Sequence, residues 1–265
     1  MEMINPRELK NLLDEQYLRY NDRQFIATDP IYIPHRYSSL QDKEISGLFA
    51  AIFAWGQRTT IIVKADELMR GMDHRPYDFI RSHSPRDLRI FNQFRHRTFN
   101  GEDARYFIRF LHWYYSSHDS LEKAFVPLPG EIDTGPALQR FYTLFFHLPE
   151  APSRTHKHIA TPAKNSACKR LNMYLRWMVR HDQHGVDLGL WKTIDTAKLI
   201  CPLDIHTMRS ARTLGLLSRP IADWLAAKEL TEKLKIFDPH DPVKYDFALF
   251  GMSVEMGRKT DIQSL

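Results

Sequence analysis

The chain has 265 residues, 43% of them hydrophobic, which is enough for one large domain or two smaller ones sharing a seam. Lys and Arg number 37 against 32 Asp and Glu, a mildly basic balance that suits a nucleic-acid partner but excludes the dense cationic load of a disordered tail. Two cysteines exclude a disulfide framework and any four-cysteine zinc or iron–sulfur site, and no run approaches 18 uninterrupted apolar residues. These features, with a charged N-terminus that lacks a signal-peptide core, predict a soluble, cytoplasmic chain with no membrane partner.

Apolar residues recur at helical spacing along most of the chain and strand signals are scarce, so the predicted fold is all-α. Leu9, Leu12, Leu13 and Tyr17 follow Pro6, which suits a first helical turn. Asp42 then caps a long run whose face is Ile45, Phe49, Ile52 and Phe53; its first half is apolar nearly all round, and it reads as one central buried helix over 45–69. Further helices are predicted over 76–82, 101–116, 120–125 and 134–146. The proline-rich, basic stretch 148–165 has no period and reads as an extended surface loop.

A helix follows over 166–180, with Cys168, Leu171, Leu175 and Met178 on an apolar face and Lys169, Asn172, Arg176 and Arg180 on an adjacent polar one. The segment 181–203 is mostly irregular. Asp204 opens a helix that Gly215 closes, and helices near 220–236 and 242–256 complete the chain. No internal repeat or linker separates independent domains.

Two of these segments carry chemistry. Pro202 to Leu216, PLDIHTMRSARTLGL, holds D-x-H-x-x-R followed by L-G-L, and 35 positions upstream of Asp204 lies Lys169 in SACKRLNMYLRW. Asp before a helix is an ordinary N-cap, and a Lys/Arg stripe is an ordinary solvated face, but a capping carboxylate at a helix mouth can also face a ligand. An amine set among Lys164, Arg170 and Arg176 is also a candidate nucleophile.

Together the two motifs resemble the helix-hairpin-helix DNA glycosylase superfamily (HhH-GPD), which includes endonuclease III and the 8-oxoguanine glycosylases. The K-x-L-N pattern of Lys169, Leu171 and Asn172, followed by an insertion and then Asp204, is closest to the archaeal 8-oxoguanine branch. The chain is also similar, over most of its length, to an uncharacterised bacterial family known only as a domain of unknown function. The glycosylase resemblance implies a two-lobed helical fold, with a central lobe over 43–168 and a second lobe from 1–42 plus 169–265. It further implies a base-excision glycosylase with AP-lyase activity, acting on a damaged purine such as 8-oxoguanine in double-stranded DNA.

In that reading Lys169 and Asp204 are catalytic, and Gln57, Arg58, Lys164, Asn165, Ser166, Arg176 and Arg209 contact DNA. Gln57 follows an apolar helix, where superfamily members carry a Gln or Asn that enters the duplex as the target base is extruded. Segment YDFALFGMSVEMG resembles the last helix, which backs the active-site cleft. No metal or other cofactor is implied, and a monomer is expected.

Two departures stand out. The hairpin consensus L-P-G-x-G is replaced by PAKNSACK, with Asn165 the one residue suited to a left-handed turn, and the iron–sulfur cysteines of endonuclease III are missing. Alternatives are a nucleic-acid-binding protein that kept the scaffold and lost the chemistry, and a helical protein-interaction module. His181, Asp182 and His184 lack a recognised ligand spacing and are read as structural. Trp55, Trp113, Tyr114, Tyr174, Trp177 and Trp191 are base-stacking candidates of which most belong to the core. The glycosylase reading requires Lys169 Nζ and the Asp204 carboxylate to lie on the order of 3–6 Å apart.

Overall fold

The computed structural model describes residues 5–263, with side chains to Val254, and they are mostly helical. Asn5 caps α1 (Pro6–Tyr20), and two short helices follow, α2 (Arg23–Ile26) and α3 (Tyr32–His35). The long helix expected over 45–69 is two helices, α4 (Leu40–Phe53) and α5 (Arg58–Arg70). Ser39, not Asp42, caps α4; Asp42 lies in the first turn, where it accepts the Ser39 hydroxyl and the Tyr77 amide. Helix α6 (Pro76–Ser82) leads to a small antiparallel hairpin, β1 (Arg95–His96) with β2 (Phe99–Asn100), and Asn100 then caps α7 (Gly101–Tyr115) through a reciprocal bond with Asp103.

Helix α8 (Gly135–Phe145) matches the predicted 134–146 helix, whereas 120–125 forms only a 3-10 turn. The expected surface loop 148–165 contains two 3-10 turns and is partly internal: Thr155, His158, Ile159 and Thr161 are buried. Its anchor is Asp103, which accepts the Thr155 hydroxyl at 2.7 Å, lies 3.2 Å from His158 Nε2 and pairs with Arg154. Then come α9 (Lys169–Val179), α10 (Ile205–Thr213), α11 (Trp224–Lys235) and α12 (Tyr245–Gln263). Gly215, at φ 70°, closes α10, with the Leu216 amide returning to Ala211. Among the described residues no helix is long and apolar enough to cross a membrane.

One apolar core runs from Leu9 to Leu249. Helix α4, buried on nearly every side, is its axis, packing on α3, α5, α6 and α9. Helix α12 lies along α1 and α10; Gly251 makes the α1 contact possible, because any Cβ there would fall within the Tyr20 ring. Thus the two ends of the sequence build one wall of the molecule together.

Two polar clusters cross this core. Glu44 of α4 accepts four donors: Tyr115 Oη, Ser120 Oγ, the Leu121 amide and Trp191 Nε1. Arg176 of α9 and Arg180 directly after it, expected on a polar face, are buried instead. Arg176 bonds Asp187 and Asp246, and Arg180 bonds Asp182, Asp187 and Asp241, so each charge is compensated inside. Removing the Glu44 carboxylate would leave several buried donors unsatisfied. Glu44→Ala should therefore lower unfolding stability by at least about 3 kcal/mol in urea titrations, whereas replacing an exposed acid such as Glu8 should change it by less than about 0.5 kcal/mol.

Candidate functional site

The break between α4 and α5 opens the site. Gly56 sits at φ 101°, a conformation closed to most side chains, and the chain turns through 54–57 before Gln57 starts α5. A helix end buried at such a break needs donors for its last carbonyls. Arg170 Nη1 supplies one to Ile52 at 2.8 Å, and His96 Nε2 supplies another to Phe53 at 3.0 Å. The Arg170 guanidinium also lies over the Trp55 ring, 4.7 Å from its centroid, fixing the indole in the wall of a cleft of about 650 Å³.

The cleft separates segments that the sequence reading assigned to different lobes. Residues 54–61 form one side; the other is built from 25–30, the start of α9, the start of α10 and α12. Lys169 is the first residue of α9, directly after Cys168, which holds the left-handed conformation at φ 51°. Asp204 is the N-cap of α10: its Oδ1 accepts the His206 and Thr207 amides at 2.8 and 2.9 Å. Its second oxygen is left for the cleft and lies 3.7 Å from Lys169 Nζ, within the separation the sequence reading required. Both side chains keep about a quarter of their surface, 27% and 23%, so they are accessible to a ligand yet partly shielded from water.

Two further carboxylates enter the cleft that motif reading did not single out. Asp246, in the first turn of α12, bonds Arg176 through Oδ2 and accepts the Thr207 hydroxyl on Oδ1 at 3.3 Å. Burial pushes its carboxyl up to about 6; Arg176 opposes the shift, and the neighbouring Asp204 charge adds to it. Asp29, before Pro30, accepts the Ile31 amide and lies 3.5 Å from Arg58 Nη2; burial raises its carboxyl too, against the pull of Arg58. The only sequence signal for either was position: Asp246 falls in the segment matched to the last superfamily helix, and Asp29 sits in an otherwise ordinary Thr-Asp-Pro turn.

The remaining expected contacts are distributed around this centre. Gln57 is exposed at the cleft rim, and its side chain makes no capping bond. Arg58 lines the cleft over the Phe25 and Phe250 rings, at 5.1 and 4.5 Å. Arg176 lines it as well, but its guanidinium is committed to Asp187 and Asp246; it holds the floor and does not present a free cation to phosphate. Lys164 and Arg209 are exposed, with Lys164 Nζ donating to Tyr142 Oη at 2.7 Å.

Asn165 has the left-handed conformation anticipated for it, at φ 55°, and Ser166 pairs with Asp223 in an isolated antiparallel bridge. The Asn165 side chain donates to the Asp223 carboxylate, so an acid stands beside this turn.

Of the candidate stacking aromatics, Trp55 lines the cleft, Tyr114, Tyr174, Trp177 and Trp191 are core, and Trp113 packs half-buried against His147. Asp182 serves as an internal acceptor for Arg180, Asn21 and the amides of His184 and Gly185, and among the described residues no three His, Cys, Asp or Glu side chains come together as a metal would need.

A model of the family described as "Protein of unknown function (DUF2400)" matches residues 29–255, a span that takes in the whole cleft apart from Phe25. No curated protein and no solved structure matches the chain.

The raised Asp246 carboxyl has a thermodynamic consequence. The native state keeps this proton to about pH 6, whereas the unfolded chain releases it near the ordinary value of 3.8. The native state binds more protons across that window, so stability contributed by Asp246 is full below it and is lost as pH rises through it. The unfolding free energy of the native chain minus that of Asp246→Asn should fall between about pH 4 and pH 6.5 and level off above. A flat difference would contradict the raised carboxyl.

Proposed function

We propose a function for this chain, which belongs to the DUF2400 family of proteins of unknown function: it is a base-excision DNA glycosylase with AP-lyase activity, acting on a damaged purine such as 8-oxoguanine. The observation that carries the reading is the 3.7 Å approach of Lys169 Nζ to the Asp204 carboxylate at one wall of an open cleft. Motif resemblance alone nominated both residues, and a nucleophile beside a carboxylate acceptor is what the chemistry needs.

The proposed two-lobed glycosylase fold supplies a cleft of suitable size. Its volume, about 650 Å³, admits a nucleotide turned out of a duplex. Phe25, Phe250 and Trp55 offer apolar faces to a base. Asp29 and Asp246 offer carboxylate oxygens to its N–H groups, or a proton to its carbonyls. The Trp55 indole N–H is buried without a hydrogen-bond partner, a donor left over for an acceptor atom.

In the proposed reaction Asp204 takes a proton from the Lys169 ammonium, and the amine attacks C1′ of the extruded nucleotide. The C1′–N bond to the base breaks, its electron pair leaves with the base, and Asp204 passes the base the proton it took from Lys169. Once that proton has gone, Asp204 is negative again and offsets the positive charge on the sugar now joined to Lys169. Opening of the sugar ring gives an imine on Lys169, and loss of a C2′ proton then expels the 3′ phosphate.

Two substitutions test the roles. Borohydride should trap the protein covalently on a duplex carrying an accepted lesion, and Lys169→Gln should abolish trapping while melting at the native temperature; trapping that survives places the nucleophile elsewhere. Asp204→Asn keeps an N-cap of similar strength, so stability should change by no more than a few tenths of a kcal/mol. Single-turnover excision should nevertheless fall by roughly 10²–10⁴-fold, because the charge is gone. Unchanged excision would reduce Asp204 to a cap, and no excision of any lesion by the native chain would leave the cleft to binding alone.

A further inference from the structure

The hairpin of β1 and β2 turns through Arg97 and Thr98, and Arg97 occupies the left-handed region at φ 53°. Glycine is the residue such a position favours. The turn is nonetheless rigidly seated. His96 is buried, stacks on Trp55 and bonds the end of α4; Phe99 packs among Phe53, Phe94 and Phe107; and Arg154 donates to the Thr98 carbonyl at 2.9 Å.

Held this way, the Arg97 side chain lies against the backbone at Gly56, where a Cβ would meet Nη1 at 2.7 Å. The guanidinium thus lies beside Gly56 at the cleft rim, and Arg97 does not line the cavity itself. Three nearby cations are taken: Lys64 pairs with Glu67, Arg58 with Asp29, and Arg154 with Asp103. Among the described residues Arg97 has no carboxylate, carbonyl or ring partner, and it is exposed. A non-glycine residue held in a disfavoured conformation, on a rigid mount, with its charge unspent, is built to meet something outside the chain.

We propose that Arg97 is a backbone-contact residue for duplex nucleic acid, its guanidinium neutralising one phosphate beside the nucleotide that enters the cleft. The assignment rests on the DNA reading above. A position on the rim and outside the cavity fits a phosphodiester flanking the extruded nucleotide better than the nucleotide's own base. Planar paired donors match phosphate oxygens.

The test uses a duplex containing a tetrahydrofuran abasic-site analogue, with each of the four bases opposite, titrated with the full chain from about 50 to 200 mM salt. Arg97→Gly removes the charge and suits the left-handed turn, so it should fold and melt at or above the native temperature. Its plot of log affinity against log salt should be less steep by about 0.9, one phosphate's worth, and equally so for all four opposite bases. Arg97→Lys, which keeps a charge at the same place, should restore the native slope.

An unchanged slope in Arg97→Gly, a Lys variant that behaves like the Gly variant, or a loss confined to one opposite base would each overturn the phosphate assignment while native binding stands. Failure of the native chain to bind the duplex at any salt would overturn the DNA reading and this inference with it.

Discussion

The cleft rests on the burial of Arg176. A guanidinium removed from water is costly unless opposite charges surround it, and here Asp187 and Asp246 do so; burial disfavours its charge, but these acids and Asp29 outweigh that and hold it firmly protonated. Each partner brings a different part of the chain to the same point. Asp187 ties in the irregular segment after α9, and Asp246 fixes the start of α12. Through its bond to the Thr207 hydroxyl, Asp246 also fixes the first turn of α10, where Asp204 is the cap. Arg180 repeats the device about one turn further on, at α1 and the approach to α12, through Asp182, Tyr17 and Asp241. The distance between Lys169 and Asp204 is therefore set by a charge network beneath them, not by their own weak attraction across 3.7 Å.

That network also sorts the carboxylates by role. Asp204 spends one oxygen on the α10 amides and shows the other to the cleft, whereas Asp246 is committed to Arg176 and Thr207 and carries a carboxyl near neutrality. The two acids thus meet the cleft differently, one with an oxygen turned to Lys169 and the other tied through both oxygens and raised by burial.

Much of this was legible in the sequence. Helical period placed α1, α7, α8 and α9, and the cap-and-glycine pair Asp204 and Gly215 bounded α10 closely. The interruption of α4 and α5 was not legible, because 45–53 and 58–69 are each good helix and the break depends on Gly56 adopting positive φ and on Arg170 and His96 receiving the exposed carbonyls. Periodicity put Arg176 and Arg180 on a polar face, since most of the acids that surround them lie 7 to 70 positions away and only Asp182 is local. The interior of 148–165 was hidden for the same reason: its anchor, Asp103, belongs to α7. Lys169 and Asp204 were found by motif; Asp29 and Asp246 belong to the site only through packing.

The two cysteines flank the two halves of the site. Cys168 precedes Lys169, and Cys201 lies three residues before Asp204. Both are buried, and burial pushes the Cys168 thiol up to about 12 and that of Cys201 well above its ordinary value, so neither supplies thiolate at neutral pH. Their reactivity is therefore tied to local opening: a thiol reagent can reach Cys168 only when the start of α9 lifts, and Cys201 only when the segment before α10 does. The chain carries, without any added label, a separate chemical clock for the breathing of each of these two segments, and the ratio of the two labelling rates would tell whether they open together or one at a time.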